Sequence, residues 1–321
     1  VTFLGALSMG ADLTVTAGSG DVTFQGTVND DGAAGTSSDL LVNSSGTTRF
    51  NAAVGDGSPI ESVTTDAPGT TEVNADITTS GGTQTYNDPV VLTGDVTLTD
   101  HGSSGIFFNN TVNGDGTGPW DLRVVTTNGA SDIQFNNAVG NVNALDEVTI
   151  TNAGTLTIAA AGDMNLVGPF LQNGAGSVST AGDIDTSDDD VTFTAAVTLT
   201  GDVDIDTTGT AAGSILFSST IDMGGNNLAL DAGPAGNVTL SRAVSGGGDL
   251  TIRDGAVQSY QGLTVNALSI EDATTSVTLG AAVNTTSTID VTSGGTITVD
   301  GAMSSGGSNI TLNATSGLIR I

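Results

Sequence analysis

The sequence predicts an all-β fold: a parallel β-helix, or β-solenoid, in which each repeat makes one coil and stacks on the next. Three observations predict it: a recurring short phrase, apolar residues that alternate with polar ones, and small polar residues where strands should turn. The phrase occurs as FLGAL at 3–7, FQGTV at 24–28, FNAAV at 50–54, FNNTV at 108–112, FNNAV at 135–139, FTAAV at 193–197, FSSTI at 217–221, LSRAV at 240–244, LGAAV at 279–283 and VDGAM at 299–303. Many neighbouring copies lie 20–27 residues apart, and this period predicts about 14 coils.

The stretch DLTVTAGSGDVTFQGTV at 12–28 illustrates the elements of one coil. Leu13 and Val15 alternate with polar residues and predict a first strand. The AGSG that follows predicts a turn, because glycine reaches backbone conformations closed to other residues. Val22 and Phe24 predict a second strand, and the QG after them a corner. Other repeats follow the same order, with two or three short strands in each.

The phenylalanines of the repeated phrase are predicted to point inward. No single repeat has enough apolar residues to bury a core, so stacked coils must share one. We expect one internal packing ladder, and a second ladder from the Val or Ile four residues after each ring. The predicted core ladder consists of Phe24, Phe50, Phe108, Phe135, Phe193 and Phe217.

An up-and-down barrel or a β-sandwich is the main rival fold. Either would need hairpins, and hairpin-type dipeptides occur at Asn128-Gly129, Asn173-Gly174 and Asp254-Gly255. However, the order of elements repeats by translation rather than by reversal, which favours parallel coils. Disorder is also unfavoured, because the apolar residues are too regularly spaced.

The domain prediction is a single continuous solenoid over residues 1–321 with a degenerate super-repeat. LTGDV at 92–96 recurs at 199–203, and SGIFFNNTV at 104–112 resembles GSILFSSTI at 213–221. The two offsets are 107 and 109 residues. They predict that several coils were duplicated together, approximately as 40–150 and 151–260.

The charge balance is strongly acidic. The chain has 35 Asp and Glu against five Arg and no Lys, which gives a formal net charge of −30. Such a surface repels nucleic acids and anionic membranes, and it suits a salty or calcium-rich medium.

No run of 18 apolar residues occurs, so no membrane-spanning segment is predicted. The lack of cysteine excludes disulfides and thiolate metal sites.

Residues 50–99 carry the most recognisable part of a resemblance to a known family, which covers most of the chain and is strong at 40–150. The phrases SVTTDAPGTT at 62–71, ITTSGGTQTYNDPV at 77–90 and L-x-x-D-x-T-L-T at 92–99 resemble those of the bacterial "beta strand repeat" proteins. These large surface or secreted proteins are similar in style to filamentous haemagglutinin-type adhesins. The resemblance implies a right-handed parallel β-helix located at the bacterial cell surface or outside the cell. It carries over no catalytic residues.

A polysaccharide-active enzyme is a remote alternative. Polysaccharide lyases and hydrolases with this fold use clustered Asp together with basic residues, often with His. Here the single histidine, His101, lies in a Gly/Ser-rich corner and is interpreted as a solvated loop residue. The acidic clusters lack a basic or aromatic platform beside them. No catalytic residues are therefore assigned, and the chain is predicted not to be an enzyme.

Calcium is the one cofactor that the sequence suggests. Asp side chains at Gly-rich corners offer the oxygen ligands that a hard cation prefers. The candidate ligands are Asp30, Asp31, Asp188, Asp189 and Asp190. The alternative interpretation is that these residues cap turns through hydrogen bonds. The nonapeptide of calcium β-rolls and the EF-hand loop pattern are both absent.

The predicted function is a non-enzymatic extracellular stalk or fibre segment of a large bacterial protein. The alternative is an adhesin that binds glycans or host surfaces. The apolar strands at both ends, VTFLGAL and SGLIRI, predict continuation into further repeats or end-to-end stacking with other copies. The predicted partners are therefore the chain itself and, for an adhesin, glycans or a cell surface.

Overall fold

In the computed structural model, which describes residues 1–33, 37–209, 213–259 and 261–321, the protein is an all-β solenoid of about 14 turns. No helix occurs among the described residues, and the strands pair in parallel. This confirms the predicted fold class. The chain forms two compact units. Unit 1 comprises Val1–Leu166 and Gly174–Ser177; unit 2 comprises Val167–Asn173 and Val178–Ile321.

The described residues of unit 1 form twenty short strands. They are β1 Thr2–Phe3, β2 Leu7–Met9, β3 Leu13–Gly18, β4 Val22–Phe24, β5 Val28–Asp30, β6 Asp39–Ser44, β7 Thr47–Phe50, β8 Ser62–Thr65, β9 Thr70–Val73, β10 Ile77–Thr79, β11 Gln84–Tyr86, β12 Val90–Leu92, β13 Val96–Asp100, β14 Ile106–Phe108, β15 Val112–Gly114, β16 Leu122–Thr126, β17 Ile133–Phe135, β18 Val148–Thr151, β19 Leu156–Ile158 and β20 Met164–Leu166.

Three stacks of parallel strands make up the faces of unit 1. Stack 1 has the order β1-β4-β7-β9-β12-β15. Stack 2 contains the pair β2-β5 and the run β10-β13-β16-β18, and single bridges from Val28 to Val54 and from Val54 to Ile77 connect the two. Stack 3 has the order β3-β6-β8-β11-β14-β17-β19. Each strand therefore pairs with the equivalent strand one coil later.

Unit 2 contains the remaining strands. They are β21 Phe170–Gln172, β22 Val178–Thr180, β23 Ile184–Thr186, β24 Val191–Phe193, β25 Val197–Leu199, β26 Val203–Asp206, β27 Ile215–Phe217, β28 Ile221–Asp222, β29 Leu228–Asp231, β30 Asn237–Leu240, β31 Val244–Ser245, β32 Leu250–Asp254, β33 Ala256–Ser259, β34 Leu263–Val265, β35 Leu268–Ala273, β36 Ser276–Leu279, β37 Val283–Thr285, β38 Ile289–Ser293, β39 Thr296–Val299, β40 Met303–Ser304, β41 Ile310–Ala314 and β42 Ile319–Arg320. Every third strand pairs in parallel, which again gives three stacks, starting at β21, β22 and β23.

The core is formed by residues that point inward and alternate along most strands with residues that point outward. In β13, Val96, Leu98 and Asp100 are buried while Thr97 and Thr99 are partly exposed. This is the period of a pleated strand with one face toward the core. The Val- and Thr-rich composition favours such strands, since branched side chains pack well on a half-buried pleat.

The six phenylalanine rings of the predicted ladder are buried, but they belong to three separate rows of rings rather than to a single ladder. In stack 1 of unit 1, Phe24 lies 4.9 Å from Phe3 and 5.2 Å from Phe50, between ring centroids. In stack 3 of the same unit, Phe108 lies 5.4 Å from Tyr86 and 4.8 Å from Phe135. In unit 2, the row consists of Phe170, Phe193 and Phe217; Phe193 stacks on Phe217, and the ring of Phe170 is tilted by 47° to that of Phe193.

The single ladder was wrong because the phrase does not specify a face. All three faces require the same inward and outward alternation, so a phenylalanine fits any of them. Phe50 pairs with Val73 in the next coil, and Val73 pairs with Leu92, so that row of rings ends. Meanwhile Tyr86 starts a new row on the adjacent face, in register with Phe108.

Candidate functional site

Acidic side chains at the corners accept backbone N–H groups from the neighbouring coil. Asp76 Oδ1 lies 2.7 Å from the nitrogen of Thr97, and Asp183 Oδ1 lies 2.7 Å from that of Asp204. The same contact is made by Asp12, Asp21, Asp95, Asp121, Asp132, Asp190 and Asp202. Each contact supplies a charged acceptor for an N–H close to the start of a strand. These carboxylates therefore fasten one coil to the next.

A second group of acids stabilises turns within its own coil. Asp115 Oδ1 accepts the Thr117 N–H at 2.9 Å, two residues further along the chain. The same pattern occurs at Asp30, Asp31, Asp100, Asp206, Asp222 and Asp231. This is the Asx-turn, in which a short side chain imitates a backbone turn.

The first predicted calcium stretch uses its oxygens for backbone contacts. Asp30 Oδ1 accepts the Gly32 N–H at 2.8 Å, and its Oδ2 accepts the Ser38 N–H at 3.0 Å. Asp31 is exposed, and its Oδ1 accepts the Ala33 N–H at 2.9 Å. The structure therefore places both residues as turn caps, and calcium binding there stays a prediction.

The second predicted calcium stretch lies at another corner. Asp188 has a positive φ of 74°, a conformation that Asp tolerates better than most residues. Asp190 Oδ1 accepts the Ser214 N–H at 2.7 Å. The carbonyl oxygen of Asp189 accepts the Thr186 hydroxyl. Within the described ranges, no group of three or more His, Asp or Glu is placed to hold a metal ion.

A row of acids lines a shallow groove on unit 1. Its members are Asp76, Asp95, Asp121 and Glu147, with Arg123 and threonines between them. Partial burial, and then the charges of neighbouring acids, raises the pKa of Asp121. Three of these carboxylates already accept amides of the next coil. The groove lies between carboxylates whose main role is to accept hydrogen bonds from the next coil. Its negative charge disfavours anionic ligands.

A buried polar cluster surrounds Asp100 inside unit 1. Asp100 is fully buried, and its carboxylate accepts the N–H groups of Gly102 at 2.8 Å and Gly105 at 3.0 Å. The Ser131 and Thr79 hydroxyls donate to it from the coils after and before, at 2.5 and 3.3 Å. Asp100 thus connects three coils from within. Sequence reasoning missed it, although alternation from Leu98 places it inward.

A second buried acid, Asp88, lies at the corner between β11 and β12. Its Oδ2 is 3.3 Å from the Thr71 hydroxyl, and its Oδ1 has no hydrogen-bond partner. Burial, and then the charge of Asp66, raises its pKa to about 6. Sequence reasoning also missed this residue. The signal was available, because counting in twos from Tyr86 to Val90 places Asp88 on the inward side.

Trp120 and His101 have local roles. The Trp120 Nε1–H donates to Asp115 Oδ1 at 2.8 Å, so the indole packs on its own loop. Donors from Thr117 and Trp120 hold the pKa of Asp115 below its usual value. His101 is exposed and lies 3.3 Å from the Thr127 hydroxyl, as expected of a loop residue.

Arginine links coils on the outer surface. The Arg49 guanidinium lies 2.7 Å from both Asp21 and Glu72, which flank it one coil before and one coil after. Arg253 binds both carboxylate oxygens of Asp204, at 2.8 and 2.7 Å. These pairs are partly exposed, so solvent screens their attraction and each contributes little to stability.

Comparison with known proteins adds no relative. No protein-family model matches the chain, no curated protein matches it, and no solved structure matches it. Among the described residues, no helix is long and apolar enough to cross a membrane. The functional interpretation therefore depends on the geometry of the chain itself and on the sequence resemblance of residues 50–99.

Proposed function

We propose that this chain is a non-enzymatic structural module, a β-solenoid stalk or fibre segment of a large extracellular bacterial protein. The proposal depends mainly on one observation: many acidic side chains connect one coil to the next. Nine corner carboxylates, Asp12, Asp21, Asp76, Asp95, Asp121, Asp132, Asp183, Asp190 and Asp202, accept amides of the following coil. Acids placed in this way stabilise the stacking of coils, which is the property that a load-bearing segment requires.

Three further features support the proposal. Stacked coils can be added without changing the existing ones, since each coil contacts mainly its neighbours. The high negative charge keeps such a surface soluble, and cations in the external medium screen its self-repulsion. The resemblance to the beta strand repeat proteins supports a location at the cell surface or beyond it.

Antibodies against this segment test the location. We expect them to label intact source cells or their secreted material, and protease treatment of intact cells should remove the signal. Labelling that appears only after permeabilisation would contradict the proposal.

A glycan array with the purified protein tests the adhesin alternative, and incubation with acidic polysaccharides tests the enzyme alternative. The structural role predicts no specific retention on any glycan and no new reducing or unsaturated ends. Specific retention would favour an adhesin, and new chain ends would favour an enzyme.

A further inference from the structure

Three buried side-chain oxygens without hydrogen-bond partners stand out among the described residues: Thr48 Oγ1, Thr65 Oγ1 and Asp88 Oδ1. Buried polar atoms are almost always satisfied by protein or by a bound species. All three residues belong to the same turn region of unit 1, where stack 3 passes into stack 1. Thr65 ends β8, Thr48 lies in β7, and Asp88 lies between β11 and β12. Each of them therefore lacks a partner close to this corner.

Backbone register brings these residues together. Thr65 pairs with Tyr86, two residues before Asp88. Thr48 pairs with Thr71, and the Thr71 hydroxyl lies 3.3 Å from Asp88 Oδ2. The residues thus come from three successive coils at one corner.

Because Gly69 has no side chain, a small space bordered by oxygen atoms remains at this corner. A Cβ atom built on Gly69 would lie 2.5 Å from the Ser44 carbonyl oxygen, 2.9 Å from that of Gly46 and 3.0 Å from Asp88 Oδ1. Three oxygens from the coils before and after therefore converge beside Gly69. Any side chain at position 69 would displace them. We call Ser44, Gly46, Thr65, Gly69 and Asp88 the Gly69 corner.

The charge at this corner is not neutralised. Asp88 is buried, and the charged neighbour that acts on it is a second acid, Asp66. Asp66 Oδ1 accepts the Ser44 N–H at 2.7 Å, so Asp66 is held at the same corner. A buried carboxylate beside another carboxylate needs a positive partner.

We propose that the Gly69 corner binds a calcium ion. The donors are all oxygens: the Asp88 carboxylate, the Ser44 and Gly46 carbonyls and the Thr65 hydroxyl. Oxygen-only sets with carboxylate and carbonyl ligands select hard cations. A water molecule would satisfy hydrogen bonds but would leave the two acids uncompensated, and a divalent ion compensates both. This site is separate from the stretches at Asp30–Asp31 and Asp188–Asp190.

The test compares calcium binding by the wild type, Asp88→Asn and the control Asp56→Asn, whose carboxylate is exposed in the same unit. Protein stripped with EGTA is titrated with CaCl₂ in a calorimeter at constant ionic strength, and Tm is measured with and without calcium. We expect Asp88→Asn to lose one binding event and a calcium-induced Tm rise of about 3 °C. Asp56→Asn should keep both.

Two results would overturn the proposal. One is that Asp88→Asn keeps the wild-type stoichiometry and Tm rise. The other is that the stripped wild type takes up no calcium, as would follow if a proton or water fills the corner. Thr65→Val provides a second variant, because it replaces an unpartnered hydroxyl with a methyl of similar shape and should fold. We expect its calcium affinity to fall about tenfold. An unchanged affinity would contradict the assignment of Thr65 as a ligand.

Discussion

Replacing Phe135 by Asp should abolish the cooperative folding of unit 1. The ring is fully buried and stacks on Phe108 at 4.8 Å, and Phe135 pairs with Ile158 in the next coil. A carboxylate there would have no partner, and leaving a charge unpaired in the core costs more than about 4 kcal/mol. Circular dichroism should show loss of the β signal or of its cooperative melt.

Gln134→Asp is the matched control for that change. Gln134 is the preceding residue of β17 and points outward, so the same carboxylate remains in water. We expect its Tm to stay within a few degrees of the wild type. If Phe135→Asp melts like Gln134→Asp, the inward assignment of the ring is wrong.

Gly248→Ala should destabilise unit 2 by at least about 3 kcal/mol. A Cβ at this buried position would lie 1.5 Å from the Asn226 carbonyl oxygen and 2.4 Å from its carbon. The obstacle is backbone of the preceding coil, so no side-chain rotation can relieve it. Chemical denaturation measures the loss.

Gly129→Ala is the control for Gly248→Ala. The nearest atom to its Cβ would be the Ala153 carbonyl oxygen at 4.0 Å, which is ordinary contact. We expect a change of less than about 1 kcal/mol, because alanine also reduces the entropy of the unfolded chain. Equal losses in the two variants would show that close coil packing at Gly248 is not the cause.

The fold was predictable because alternation and period are local signals. Leu13 and Val15 in β3, and Val22 and Phe24 in β4, lie in the strands that their spacing predicts. The ring stacks were only partly predictable. Phe24 and Phe50 do pair directly, but the step from Phe50 to Phe108 changes face, and variable coil length conceals that change from a phrase search.

The roles of the acids were harder to predict. Whether Asp76 reaches Thr97 depends on the register between coils, which no local pattern contains. The inward acids Asp88 and Asp100 had a local signal, the parity of the strand. That signal is weak because acidic residues are rarely buried, whereas consecutive acids such as Asp188–Asp190 are conspicuous in the sequence.

Corner acids hold successive coils together by accepting hydrogen bonds from backbone amides of the next coil. The most direct measurement is amide hydrogen exchange at Thr97, by NMR at fixed pH, in the wild type and in Asp76→Ala, with Asp56→Ala as control. The Thr97 N–H donates to Asp76 at 2.7 Å, so its removal should accelerate exchange there about tenfold or more. Exchange in the control should match the wild type. An unchanged rate at Thr97 in Asp76→Ala would contradict the claim.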